Sequence, residues 1–148
     1  MKMVFISPPL DLRGSISSLF QLITFLKFRG HQVALITPGG PLEEEFSRLH
    51  IPVWRFPFQD NRLLDWGLVR SCRQFLTSFA PDLIHIYHAR SASFGATLAR
   101  LLHRPYFLTV HHFLEPAQHL DANSPQLAGL ITVSQAVREN LVNTAKVA

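Results

Sequence analysis

Pro81–Phe113, PDLIHIYHARSASFGATLARLLHRPYFLTVHHF, is a complete strand–helix–strand unit, and its reading decides the fold. Leu83–Tyr87 and Tyr106–Val110 are short apolar runs rich in β-formers, the pattern of strands buried on both faces. Between them Ala92, Ala96, Ala99, Leu98 and Leu102 recur at helical spacing, which predicts one apolar stripe with an Arg on the opposite side. A strand, a crossover helix and a second strand imply a parallel pair with a right-handed connection. Both strands run into polar, titratable residues: His88, Arg90 and Ser91 after the first, His111 and His112 after the second. Ligands of open parallel sheets bind beyond the carboxyl ends of the strands, so chemistry is expected at these residues.

The pattern continues in both directions. Met3–Ile6 reads as a first strand, followed by the loop from Ser7 to Ser15 and a helix from about Ser15 to Arg29. Ile16, Leu19, Leu22, Ile23 and Leu26 form its core face, Phe25 and Phe28 point away, and Gly30 supplies the stop. Gln32–Thr37 is a second strand, and Leu42–Leu49 a short helix whose Glu43, Glu44 and Glu45 suit the positive end of its dipole. A third strand spans Pro52–Phe56. The next helix, Leu64–Phe79, is expected to bury Leu64, Leu68, Cys72, Phe75, Leu76 and Phe79. After the central unit come a polar loop over Leu114–Gln126, a sixth strand at Gly129–Val133, and a last helix from Gln135 capped by Ser134. Six strands alternating with helices give a single-domain α/β fold, a doubly wound parallel sheet of Rossmann type in the order 3-2-1-4-5-6. That order sets strands one and four side by side. It brings Arg13, Gly14 and Ser15 next to His88, Arg90 and Ser91, with His111 alongside.

Bulk properties narrow the function. The chain has 148 residues, 47% of them hydrophobic and 16% charged, enough for a substantial core. One Cys excludes an internal disulfide and fits a reducing compartment, and no apolar run approaches a spanning helix, so a cytoplasmic location is expected. A net charge of +4 favours anionic partners. Nucleic acid is disfavoured, because no dense Lys/Arg run or aromatic RNA-binding signature is present.

Several individual residues admit both a functional and a simpler structural role. Gly14-Ser15 stands where a strand turns into a helix, a place that lets backbone N–H groups meet an anion or a sugar hydroxyl. Its surroundings fit neither G-x-G-x-x-G nor the NTPase phosphate loop, which argues against a dinucleotide-dependent oxidoreductase and against an NTPase. His111 can accept a proton from a hydroxyl or hydrogen-bond a substrate; the alternative is a structural histidine bonded to backbone. His112 should face the other way. His85 and His88 fall on opposite faces of an extended segment, so no shared metal and no cofactor are expected. Ser134 lacks the nucleophile-elbow pattern and reads as a cap. Trp66, Arg70 and Arg73, with Trp54, Arg55, Phe56, Phe58 and Arg62 upstream, could dock on an anionic membrane, while Trp54 and Phe56 equally suit a buried strand.

Several stretches together resemble the N-terminal domain of retaining glycosyltransferases of the GT-B fold, family 4. They are Phe28-Arg-Gly-His-Gln-Val33, Thr37-Pro-Gly-Gly-Pro-Leu-Glu43 followed by Ile51-Pro-Val53, Pro81-Asp-Leu-Ile-His85, Arg104-Pro-Tyr-Phe-Leu-Thr-Val-His111 and Gly129-Leu-Ile-Thr-Val-Ser-Gln-Ala-Val-Arg138. The resemblance implies sugar transfer from a nucleotide-sugar donor to a glycan, lipid or small-molecule acceptor, with retention and without a metal. It implies that this domain holds the acceptor, that Gly14 lies near the donor phosphates, and that His111 reaches the transferred sugar or the acceptor. Arg13 stands where the family's first loop glycine usually is, and Tyr87 replaces a frequent second histidine. Since the sequence stops at Ala148, the resemblance also implies that the C-terminal donor-binding domain is absent and that this piece alone is inactive. From another class, the alternative is a non-catalytic Rossmann-type module that pairs with another polypeptide or a membrane surface.

Overall fold

The computed structural model describes residues 1–12, 14–57, 66–114 and 123–145. Strands β1 (Lys2–Ile6), β2 (Gln32–Thr37), β3 (Val53–Arg55), β4 (Leu83–Ile86), β5 (Tyr106–Val110) and β6 (Leu127–Thr132) form one sheet. Its order is β3-β2-β1-β4-β5-β6, and every neighbouring pair is parallel. Helices α1 (Gly14–Phe28), α2 (Glu43–Arg48), α3 (Trp66–Phe79), α4 (Ala92–Leu102) and α5 (Gln135–Ala145) alternate with the strands. This is the doubly wound sheet that the sequence predicts.

Strand alternation explains the two layers. Met3, Phe5, Val33 and Leu35 point to one face and pack with Ile16, Leu19 and Ile23 of α1 and Phe46 of α2. Val4, Ile6, Ala34, Ile36, Ile84 and Ile86 point to the other, against Val69, Cys72 and Leu76 of α3, Leu98 and Ala99 of α4, and Val137 and Leu141 of α5. Burial on both faces is why the strands read as continuous apolar runs. Helix ends follow local chemistry. Gly30 takes φ +81° after α1, its N–H bonding to Lys27 O at 2.9 Å while the His31 N–H bonds to Leu26 O at 3.1 Å. Ser134 Oγ accepts the Val137 N–H at 3.3 Å and caps α5 as expected. Phe25 and Phe28 are exposed, also as expected.

Two helix faces differ from the sequence expectation. In α3 the inward seam is Val69, Cys72 and Leu76, with Leu68 and Phe79 beside it, and Phe75 is 52% exposed. Phe75 still meets Trp54 and Phe56 at 5.7 and 5.9 Å between ring centroids. Those residues belong to the β3 edge, a strand of three residues, which is too little sheet to cover the ring. Leu64 lies outside the described residues. In α4 burial is not one alanine stripe: Phe94, Gly95 and Thr97 are buried along with Ala92, Leu98 and Ala99, whereas Ala96 and Leu102 are half-buried. The cause is close approach to the sheet, for a Cβ on Gly95 would stand 2.5 Å from the Ile86 side chain. Boundaries also shift. β4 ends at Ile86, leaving Tyr87 in the following loop, and β6 begins at Leu127 and ends at Thr132.

Candidate functional site

The loop after β1 is held before it reaches the site. Ser7 N–H donates to Ile36 O at 2.9 Å, Leu10 N–H to Gly39 O at 2.9 Å, and Leu42 N–H to Leu10 O at 3.1 Å. Gly40, at φ +151°, lies so close that a Cβ would be 2.5 Å from Leu10 O. This backbone contact is one only glycine permits. Arg13 lies outside the described residues. Gly14 opens α1, with Ser15 behind it, and the space around it is empty: a Cβ there would meet no atom within 4 Å. Its φ is not in the left-handed region, so neither backbone nor packing requires glycine at this position.

At the end of β4, Tyr87 N–H donates to Ile6 O at 2.8 Å, prolonging the pairing with β1. His88 then caps a 3-10 turn, Ala89–Ser91, that leads into α4. Its Nδ1 accepts the Arg90 N–H at 3.1 Å and its carbonyl accepts the Ser91 N–H at 2.9 Å. Neutral His88 therefore carries its proton on Nε2. Ser91 is 1% exposed, and its Oγ has no hydrogen-bond partner among the described residues. Arg90 is exposed.

His111 follows β5 and meets both residues, its ring centroid 4.8 Å from that of Tyr87 and 6.2 Å from that of His88. Burial pushes its pKa below the ordinary histidine value, and nearby His112 pushes the same way, against a raising hydrogen bond with the Tyr87 backbone. His111 Nε2 is shielded from water and has no partner among the described residues. His112 is exposed but does not point away as expected: its ring lies 5.6 Å from His88 and 6.4 Å from His111. The strand ends at Val110, and past that point alternation no longer fixes side-chain direction.

Beneath this rim, His85 Nε2 and Thr109 Oγ1 lie 2.7 Å apart in a buried hydrogen bond. Burial, with His111 nearby, lowers the His85 pKa to about 4, so it is neutral at pH 7. Neither His85, Thr109 nor Tyr87 was singled out for the site in the sequence. The available signal was alternation, since His85 and Tyr87, like Thr109 and His111, are two apart and share a face.

The structure thus joins His88 and His111, adds Tyr87 and His112, and sets Gly14 and Ser15 at the mouth of the adjoining strand. Trp66, Arg70 and Arg73 stand apart from this cluster, exposed on the outer side of α3. Phe58 and Arg62 lie outside the described residues, and Phe56 is buried at the β3 edge. Burial pushes the Cys72 thiol up to about 12, which keeps it un-ionised and no nucleophile. Among the described residues no group of three His, Cys, Asp or Glu is arranged to hold a metal ion, and no helix is long and apolar enough to cross a membrane.

The chain is thus a parallel doubly wound domain with histidines gathered at the carboxyl ends of β4 and β5 and with Gly14 opening α1 after β1. The profile of Glycosyltransferase Family 4 matches residues 13–148, and the chain belongs to that family. Its fold is the Rossmann-like N-terminal half of GT-B glycosyltransferases. It superposes on Anabaena HepE, solved with UDP-glucose, with a TM-score of 0.74 at 20% identity, covering 99% of this chain and 42% of HepE. A glycosyltransferase from Rickettsia africae gives a TM-score of 0.75 at 17% identity over 99% of this chain and 40% of its own. The lipopolysaccharide outer core galactosyltransferase WaaB gives 0.65 at 11% identity, covering 97% of this chain and 42% of WaaB. The chain thus spans about two fifths of the length of these proteins. No curated protein matches the sequence.

Proposed function

We propose that this chain is the acceptor-side domain of an enzyme that transfers a sugar from a nucleotide-sugar donor to an acceptor with retention of configuration. The observation that carries the reading is His111 Nε2, a buried acceptor without a partner among the described residues, at the carboxyl edge of a family 4 fold. An unmade hydrogen bond there costs about 1–3 kcal/mol, a cost that a substrate hydroxyl would remove. In this reading Gly14 lets the donor's phosphates come close to the start of α1, where Ser15 offers backbone N–H, and Arg13 adds a cation. His88 and Arg90 border the sugar or phosphate oxygens, and Ser91 Oγ takes a further hydroxyl. A second domain would supply the opposite wall and most of the nucleotide contacts. These 148 residues alone would then not turn over.

The test is His111→Ala in the full-length enzyme, assayed against a panel of nucleotide sugars for transfer and slow donor hydrolysis. Turnover should fall by about 100-fold or more, with folding intact by circular dichroism. Activity close to wild type removes His111 from the mechanism.

A second reading concerns location. Trp66 is 59% exposed on the same outer surface as Arg70 and Arg73, a combination suited to the headgroup region of an anionic inner membrane face. The domain should float with anionic vesicles at low salt, and Trp66→Ala with Arg70→Glu should abolish this. Absence of binding by the wild-type chain removes the idea. Flotation without any sugar transfer by the intact protein would instead favour a non-catalytic binding module.

A further inference from the structure

Helices α1 and α2 cover the same face of the sheet, and α2 is tied down at both ends. At its start the Leu42 N–H donates to Leu10 O at 3.1 Å, and the Glu43 N–H to Gly40 O at 3.1 Å. At its end Lys27 Nζ, from the last turn of α1, donates to Leu49 O and, at 3.1 Å, to His50 O. Helices pinned in this way do not close on each other, and a cavity of about 210 Å³ stays open between them.

Ile16, Phe20, Leu42 and Phe46 make its apolar walls; Ile16 and Phe46 are fully buried, and the Phe20 and Phe46 rings meet edge to face at 5.2 Å. Ser17, Gln21 and Glu45 are exposed and stand at its mouth. An apolar cavity of about 150 Å³ already takes a benzene ring, so this one has room for an aryl group or a short alkyl chain. The mouth is acidic. A single Arg48 bridges Glu44 and Glu45 at 2.9 Å each, and no Lys or Arg lines the cavity among the described residues. An anionic occupant would meet that excess carboxylate charge, and a neutral one would not. Position ties the cavity to the candidate site. Ile16 stands two residues and Gln21 seven residues past Gly14. At about 1.5 Å per residue the cavity therefore runs from about 3 to about 10 Å along α1 from its first residue.

We propose that the cavity between α1 and α2 seats an uncharged apolar part of the acceptor, an alkyl chain or an aryl ring, whose reacting end lies at the start of α1. Charge selects this occupant over the donor's diphosphate and over an anionic lipid headgroup, both of which the carboxylates at the mouth repel. The Ser17 hydroxyl and the Gln21 amide supply hydrogen bonds to the neutral polar link between the apolar part and the reacting end. That the ligand is an acceptor rests on the glycosyltransferase reading, whereas the choice of a neutral apolar group rests on the cavity.

The experiment is an amide chemical-shift titration of the 148-residue chain with octyl glucoside, kept below micelle formation, and in parallel with methyl glucoside and octyl sulfate. Octyl glucoside should shift the amides of Ser17, Phe20, Gln21, Leu42 and Glu45 saturably. Methyl glucoside, which lacks the chain, should not shift them, and octyl sulfate should bind about 5-fold more weakly than octyl glucoside. Ser17→Phe puts a ring in the mouth from an exposed position and displaces two or more methylenes of the ligand, so binding should weaken by about 10-fold or more. Ser18→Phe, exposed one position along and outside the cavity lining, should leave binding unchanged. No saturable shift at these amides, or shifts confined to the exposed Phe25, Phe28 or Trp66, overturns the proposal. So do octyl sulfate binding as tight as octyl glucoside, methyl glucoside shifting the same amides, and undiminished binding by a folded Ser17→Phe chain. Should Ser17→Phe fail to fold, the three wild-type titrations decide. Failure of the glycosyltransferase reading would show instead as no sugar transfer by the intact enzyme, with octyl glucoside binding unchanged.

Discussion

Gly14 separates structure from function at the level of one residue. No backbone strain and no neighbouring atom requires glycine there, yet glycine costs a helix start some stability relative to alanine. Gly14→Ala should therefore leave the 148-residue chain as stable as wild type or more so, by up to about 1 kcal/mol in urea unfolding. If donor phosphate approaches Gly14 as proposed, the same methyl group in the full-length enzyme should raise KM for the nucleotide sugar by about 10-fold or more. An unchanged KM would show that the glycine is incidental. Residue types after the strands placed Gly14, His88 and His111 at the carboxyl edge of the sheet from sequence, and the structure has them there. The neighbourhood of Tyr87, His85 and Thr109 was not legible in this way, because it is made by diagonal contacts between residues 24 positions apart.

Elements were legible wherever periodicity was uninterrupted. β2 and β5 occur over the expected residues, since both are apolar runs closed by strong breakers or polar pairs. Helix rotation was harder to read. In α3, Phe75 looked like core by hydrophobicity, but whether a ring is covered depends on how far the sheet extends above it, and β3 is only three residues long. In α4, alanines drew attention to a stripe, while the decisive residue was Gly95, whose missing Cβ lets the helix settle on Ile86 and Ile6. The added methyl of Gly95→Ala would lie 2.5 Å from Ile86 Cδ1 and Cγ1 and 3.2 Å from Ile6 Cδ1, all in the core. Helix propensity favours alanine by about 1 kcal/mol, but overpacking costs about 1–3 kcal/mol, so a net loss is expected. Ile86→Val removes one of the two closest atoms and should recover part of that loss. A Gly95→Ala chain with an undiminished urea midpoint would mean that α4 does not press on the sheet as described.

On the scale of the whole molecule, one buried pair sets how stability responds to acid. His85 binds its proton with a pKa lowered to about 4 in the native state, against 6.5 for a free histidine. Between those values the unfolded chain holds more protons than the folded one, so stability rises with pH across this window. The contribution is intact above about pH 6.5 and erodes as pH falls to about 4, by about 3 kcal/mol in all, a large part of an ordinary domain's stability. His111, also lowered by burial, acts in the same direction. Urea midpoints followed by circular dichroism at pH 7, 5.5 and 4 should fall steeply for the wild-type chain. Removing both partners, His85→Leu with Thr109→Val, leaves no buried polar atom of the pair unsatisfied, so it should be nearly neutral at pH 7 and flatten the slope toward pH 4. Either single variant should be less stable at pH 7 than the double, because it strands one buried partner. Parallel pH profiles for the wild type and the double variant would mean that His85 does not govern acid sensitivity. The His85–Thr109 contact would then be packing and nothing more.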